Sequence, residues 1–158
     1  MSIKILKPII ITHIAPASMA PTTLDLPLYS SLVRAGFPSP ADDYLEGSID
    51  LNRFLISNAA ATFMIRVNGD SMEGAGIYSN DVLIVDKSKD PKNGDVIVAV
   101  LNGEFTVKRL MKESGIYFLK AENPNYENII LNGDSGFQIW GVVTYVLHNP
   151  NDNKSTNH

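Results

Sequence analysis

The 158-residue chain contains no cysteine. That absence excludes disulfides, thiolate zinc sites and cysteine nucleophiles together, and it fits a reducing cytoplasm. A basic surplus is missing as well: 13 Lys and Arg face 17 Asp and Glu, for a net charge of −4. Proteins that grip nucleic acid through its phosphates carry a basic excess or stripe. The lysines here are scattered, so direct DNA binding is not expected. No run approaches the ~20 apolar residues of a membrane span. The N-terminal apolar stretch is broken by Lys7, Pro8 and His13, too early for a signal-peptide core. Histidine is limited to His13, His148 and His158. No metal site and no cofactor are expected.

What the chain does have is a change of texture along its length. Six of its nine prolines (Pro8, Pro16, Pro21, Pro27, Pro38, Pro40) fall within the first forty residues. Proline fixes φ and removes amide donors, so residues 1–45 are predicted to be an extended, mobile arm. Ile9–Ile11 is the one short run there that could join a sheet edge. A turn of helix is predicted near Tyr44 and Leu45. Residues 46–149 are predicted to form the body, and residues 150–158 a frayed polar tail.

The body is rich in β-branched and aromatic runs, among them "FMIRV", "DVLIVDK", "GDVIVAVL", "EFTVKRLM", "GIYFLKA" and "QIWGVVTYVL". Turn residues separate them, which predicts a mainly β, compact and twisted body, part sandwich and part barrel. In "VAVLNGEFTV", Asn102-Gly103 suits a two-residue type I′ hairpin turn.

Two serines follow Gly-Asp: Ser71 in "VNGDSMEG" and Ser135 in "LNGDSGFQ". Ser135 sits in a Gly-Asp-Ser-Gly string of trypsin type, yet that chemistry needs a histidine base held by an aspartate. No such histidine motif is present, so "NGDSG" reads as a turn. Ser71 follows a strand and precedes "MEGAGI", a place where a hydroxyl and backbone N–H groups can point into one space. Taken alone it too reads as turn chemistry. Lys108 alone reads as a solvated strand residue, sharing a face with Thr106 and Leu110. A lysine becomes a base when burial brings its pKa down towards neutrality.

Together, "GDSM", "NGDVIVAVLNGEFTVKRL", "IWGVVTYVL" and "IDLNRFLI" resemble the LexA/UmuD family of self-cleaving serine peptidases (S24 type) from about Arg34 to Leu147. The resemblance implies the signal-peptidase-like β fold of that family's C-terminal part. It also implies a dyad of Ser71 as nucleophile and Lys108, 37 positions later, as general base and acid. The backbone N–H groups of Asp70 and Ser71 are then the oxyanion hole. The family cuts itself between a small residue and glycine, and "VRAGFP" supplies Ala35-Gly36. The resemblance is closer to the family's mutagenesis branch than to its repressors, because a helix-turn-helix domain is not seen ahead of Ala35. It implies a cytoplasmic SOS-response protein and a homodimer. Its cleavage would be stimulated by RecA filaments on single-stranded DNA, and its trimmed form would serve a UmuC-type error-prone polymerase in translesion synthesis. Residues 1–22 form an extension with no assigned role. A repressor fragment, a signal-peptidase relative and a non-catalytic module on the same fold are the alternatives.

Overall fold

The computed structural model describes residues 6–17, 25–29, 45–134 and 136–152. Its eight-stranded antiparallel sheet follows from alternation. From Met64 onward in β4 (Thr62–Asn68), Ile65 and Val67 are buried, while Met64, Arg66 and Asn68 are exposed. That two-residue period puts one row of side chains into the core. β4 pairs with β5 (Val82–Asp86), and β5 pairs with the long last strand, β10 (Phe137–Leu147). Beyond β10 come β6 (Val96–Leu101), β7 (Glu104–Glu113), β8 (Ile116–Lys120) and β9 (Ile129–Ile130). On the other side, β1 (Ile10–Pro16) is the edge strand, paired with β4. The order is β1-β4-β5-β10-β6-β7-β8-β9, and the sheet curls until β1 also meets β7. The mainly β expectation holds.

The curl encloses two apolar clusters. Ile65, Val67, Met72, Leu83, Val85 and Val107 belong to the first, and Ile97, Ala99, Leu110, Leu119 and Val142 form the second. Burying each of the Val, Leu, Ile and Met side chains among these is worth about 1.5–3 kcal/mol. β7 is therefore covered on both faces: Val107 enters one cluster and Leu110 the other. Its neighbour β6 is joined to it through Asn102 (φ 51°) and Gly103 (φ 82°). Both residues are left-handed, as a type I′ turn requires, and the predicted hairpin is present.

One local expectation needs correction. The helical turn lies at α1 (Leu51–Leu55), not at Leu45, which begins strand β3 (Leu45–Asp50). Asp50 sets the start, because its side chain accepts the Asn52 N–H at 3.0 Å as an N-cap. The Ile9–Ile11 run, read as able to join a sheet edge, does lead into one: Ile10–Pro16 is an edge strand of the main sheet, and Ile9 is 2 % exposed. The prolines permit this: Pro8 precedes the strand and Pro16 ends it, on an edge where one missing donor costs little. A separate two-stranded sheet joins β2 (Asp25–Tyr29) to β3. Ala35 and Gly36 lie between these strands in sequence, outside the described residues, and the tail beyond Asp152 is outside them too.

Candidate active site

The end of β4 places the nucleophile candidate. After Asn68 the chain turns through Gly69 at φ 122°, a conformation that a side chain would strain. The Ser79 hydroxyl holds this turn, accepting the Gly69 N–H at 2.9 Å. Ser71 follows and is fully buried, and the short 3-10 turn Glu73–Ala75 carries the chain away.

The hairpin of β6 and β7 brings the second group. Lys108 pairs with Ile97 in the ladder, and the curl of the sheet points its side chain at the Ser71 turn. Lys108 is 6 % exposed, so the reading of a solvated strand residue does not hold. Its Nζ lies 3.4 Å from Ser71 Oγ, 2.9 Å from Thr106 Oγ1 and 3.1 Å from the Val107 carbonyl oxygen. An ammonium's three hydrogens thus have three acceptors. Once deprotonated, the amine keeps two donors for Thr106 and Val107, and its lone pair can accept the Ser71 O–H. Burial pushes the Lys108 pKa down from 10.5 to about 8, because the site penalises the charged form. At pH 7 roughly a tenth of the molecules then carry a neutral lysine.

Asp70, the residue before the serine, is held from one side. Asn123 Nδ2 donates to the Asp70 carbonyl at 2.9 Å, and the Tyr126 hydroxyl donates to its carboxylate at 2.6 Å. The first bond fixes the peptide plane that carries the Ser71 N–H. Burial, then the Asp70 carboxylate, push the Tyr126 pKa up, so the phenol remains a donor. Neither Asn123 nor Tyr126 is legible in "ENPNYEN", which reads as turn sequence. Thr106 was placed on the strand face of Lys108 by the sequence, but there it supported the reading of a solvated lysine rather than a partner in a site.

The site also holds a segment that the sequence left without a role. The Asp70 N–H donates to the Lys7 carbonyl at 2.6 Å, and the Ile9 N–H donates to Ser71 Oγ at 3.2 Å. A Cβ on Gly69 would overlap the Pro8 carbonyl and lie 2.6 Å from the Ile9 Cα. Glycine at 69 is what lets the two backbones approach.

Ser135 lies outside the described residues. His148, which the sequence left without a partner, has one: its Nδ1 is 2.6 Å from Asp81 Oδ1. The other Asp81 oxygen accepts the Tyr78 N–H at 2.8 Å, which ties this pair to the loop before β5. Among the described residues no three His, Asp or Glu side chains gather as a metal site. No described helix is long and apolar enough to cross a membrane.

Comparison with known proteins accords with this geometry. Residues 27–144 match the family described as Peptidase S24-like. Protein SamA of Salmonella typhimurium strain LT2 is 44 % identical over 81 % of this chain and 89 % of its own length. Protein ImpA of Salmonella typhimurium is 42 % identical over 77 % of this chain and 83 % of its own. The LexA repressor of Verrucomicrobium spinosum is 36 % identical over 73 % of this chain, which corresponds to 57 % of the repressor. The chain therefore belongs to the S24-like peptidases, the LexA/UmuD family of self-cleaving proteins, and stands with its UmuD-like SOS mutagenesis members.

Proposed function

We propose that this protein cuts its own chain at Ala35-Gly36 with a Ser71–Lys108 dyad and thereby becomes a working subunit of SOS mutagenesis. The observation that carries the reading is the buried lysine amine in contact with the serine hydroxyl, with its pKa near neutrality. Neutral Lys108 takes the proton of Ser71 as Oγ attacks the Ala35 carbonyl carbon. The Asp70 and Ser71 N–H groups receive the oxyanion. The Lys108 ammonium then protonates the Gly36 nitrogen as the bond to Ala35 breaks. Water, deprotonated by the same lysine, hydrolyses the Ala35 ester and restores Ser71. Asp70 has no triad role, since its carboxylate is engaged by Tyr126 and a lysine base has no tautomer to fix.

By family resemblance, a RecA filament on single-stranded DNA shifts the population towards the docked cleavage segment. The trimmed form acts as a homodimer with a UmuC-type polymerase in the cytoplasm. Incubating the wild type, Ser71→Ala and Lys108→Ala with and without RecA filaments tests this. Filament-stimulated cutting is expected in the wild type alone. Cutting that persists in either variant contradicts the dyad.

A further inference from the structure

The Lys7–Pro8–Ile9 stretch has the geometry of a substrate strand. β1 runs antiparallel to β4, with Ile10 opposite Asn68 and Ile11 opposite Val67. Upstream of Ile10 the chain continues over the Gly69–Ser71 turn, as a peptide does when it adds a strand at a peptidase groove. The Lys7 carbonyl occupies the Asp70 N–H, one of the two groups assigned to the oxyanion hole. Two residues on, the Ile9 N–H is bonded to Ser71 Oγ, and the Ile9 side chain is buried with Ile65, Val67, Met72 and Val107. Ser71 has no exposed surface while this segment is seated.

Placing the hole-bound carbonyl in register with the expected cut site makes Lys7 correspond to Ala35, Pro8 to Gly36 and Ile9 to Phe37. The two stretches then differ at the leaving nitrogen. Gly36 offers a secondary amide, unencumbered and open to a proton from Lys108. Pro8 offers a tertiary amide whose ring carbons crowd that nitrogen. The resident segment can sit in the groove without being cut. Both stretches place a large apolar side chain two residues beyond the carbonyl, at Ile9 and at Phe37.

Resting on the self-cleavage reading, we propose that Lys7–Pro8–Ile9 is an uncleavable occupant of the groove that takes the Ala35-Gly36 bond. The apolar seat of Ile9 is the specificity subsite for the Phe37 side chain. One groove cannot hold both stretches, so the resident segment must leave before the cut. Its departure opens a seat for an extended peptide with a small residue, glycine and then a large apolar residue.

The test uses the full chain and a chain lacking residues 1–9, together with Ile9→Asp, Phe37→Asp and Phe37→Leu. Amide exchange of the intact wild type at neutral pH reads occupancy without any cutting. The Ile9 and Asp70 amides are expected to exchange at least about a hundredfold more slowly than unstructured amides. At pH 9, removal of residues 1–9 or Ile9→Asp is expected to speed self-cleavage by about tenfold or more. In both the full and shortened chains, Phe37→Asp slows the cut by a similar factor and Phe37→Leu largely preserves it. A freely exchanging Ile9 amide, or a shortened chain cut no faster than the full one, overturns the proposal. Indifference to Phe37→Asp overturns the subsite. If neither chain is cut while Ile9 stays protected, the peptidase reading has failed, and the segment is a structural strap rather than an occupant of a working groove.

Discussion

Lys108 Nζ stands 3.4 Å from Ser71 Oγ, joined across 37 residues of sequence by the curl that brings β7 to the end of β4. The same curl excludes water from the amine. Position and basicity therefore have one structural origin, and disturbing one disturbs the other.

If Lys108 is the base, the rate of unassisted self-cleavage is expected to follow its neutral fraction. With a pKa of about 8, the rate is expected to rise roughly tenfold from pH 7 and level off above about pH 9. A profile still climbing steeply at pH 10.5 would show a lysine with its ordinary pKa. Densitometry of the cut and uncut bands across pH reads the curve.

Lys108→Met is expected to abolish cleavage while stabilising the fold at neutral pH. The folded pKa of about 8 lies below the unfolded value near 10.4, so between them the unfolded chain binds more protons. Wild-type stability thus rises with pH through that window, and below it the buried charge is a net cost. Methionine removes that cost, along with the bonds to Thr106 and Val107, for a net gain of about 1–2 kcal/mol at pH 7. The gain should vanish above pH 10.5. Urea unfolding at the two pH values measures it.

Asn123→Ala frees the Asp70 carbonyl and with it the orientation of the Ser71 N–H. The cleavage rate is expected to fall about tenfold to a hundredfold, less than the ~10²–10³-fold loss on removing an oxyanion-hole donor outright, because the Ser71 N–H itself remains. The midpoint of the pH profile should remain near 8, because Lys108 is untouched. Tyr126→Phe, which releases only the Asp70 carboxylate, should fall by less.

Ile65→Ala, in the core row of β4 that leads to the Ser71 turn, is expected to destabilise the fold by about 2–5 kcal/mol. Urea denaturation is the direct check. Loss of less than about 0.5 kcal/mol would mean that β4 does not anchor the first cluster.

Local chemistry made much of this fold legible. Asn102-Gly103 specifies its own turn, and the alternation of "IRVN" specifies which face of that part of β4 is buried. Asp50 ahead of "LNRFL" was a readable cap, and placing the helix at Leu45 overlooked it. β1 was legible only as the short run Ile9–Ile11, and its full length was obscured by Pro8 and Pro16, which flank or end it on a sheet edge. The site divides along the same line. Ser71 on its turn was a fair reading from neighbours in sequence. The burial of Lys108 was not, because what covers it comes from distant parts of the chain. Only the family resemblance joined the two groups beforehand. The grip of Asn123 and Tyr126 on Asp70, and the seat of Ile9 on Ser71, are tertiary contacts with no local signature.

The proposed dyad of Ser71 and Lys108 acts on one bond, Ala35-Gly36. Its most direct test is the N-terminal sequence of the large fragment released when the wild-type protein is held at pH 9 without any partner. A new N-terminus reading Gly-Phe-Pro-Ser-Pro, from Gly36, is the predicted result. A fragment beginning at any other residue, or the same fragment released from Ser71→Ala, would contradict it.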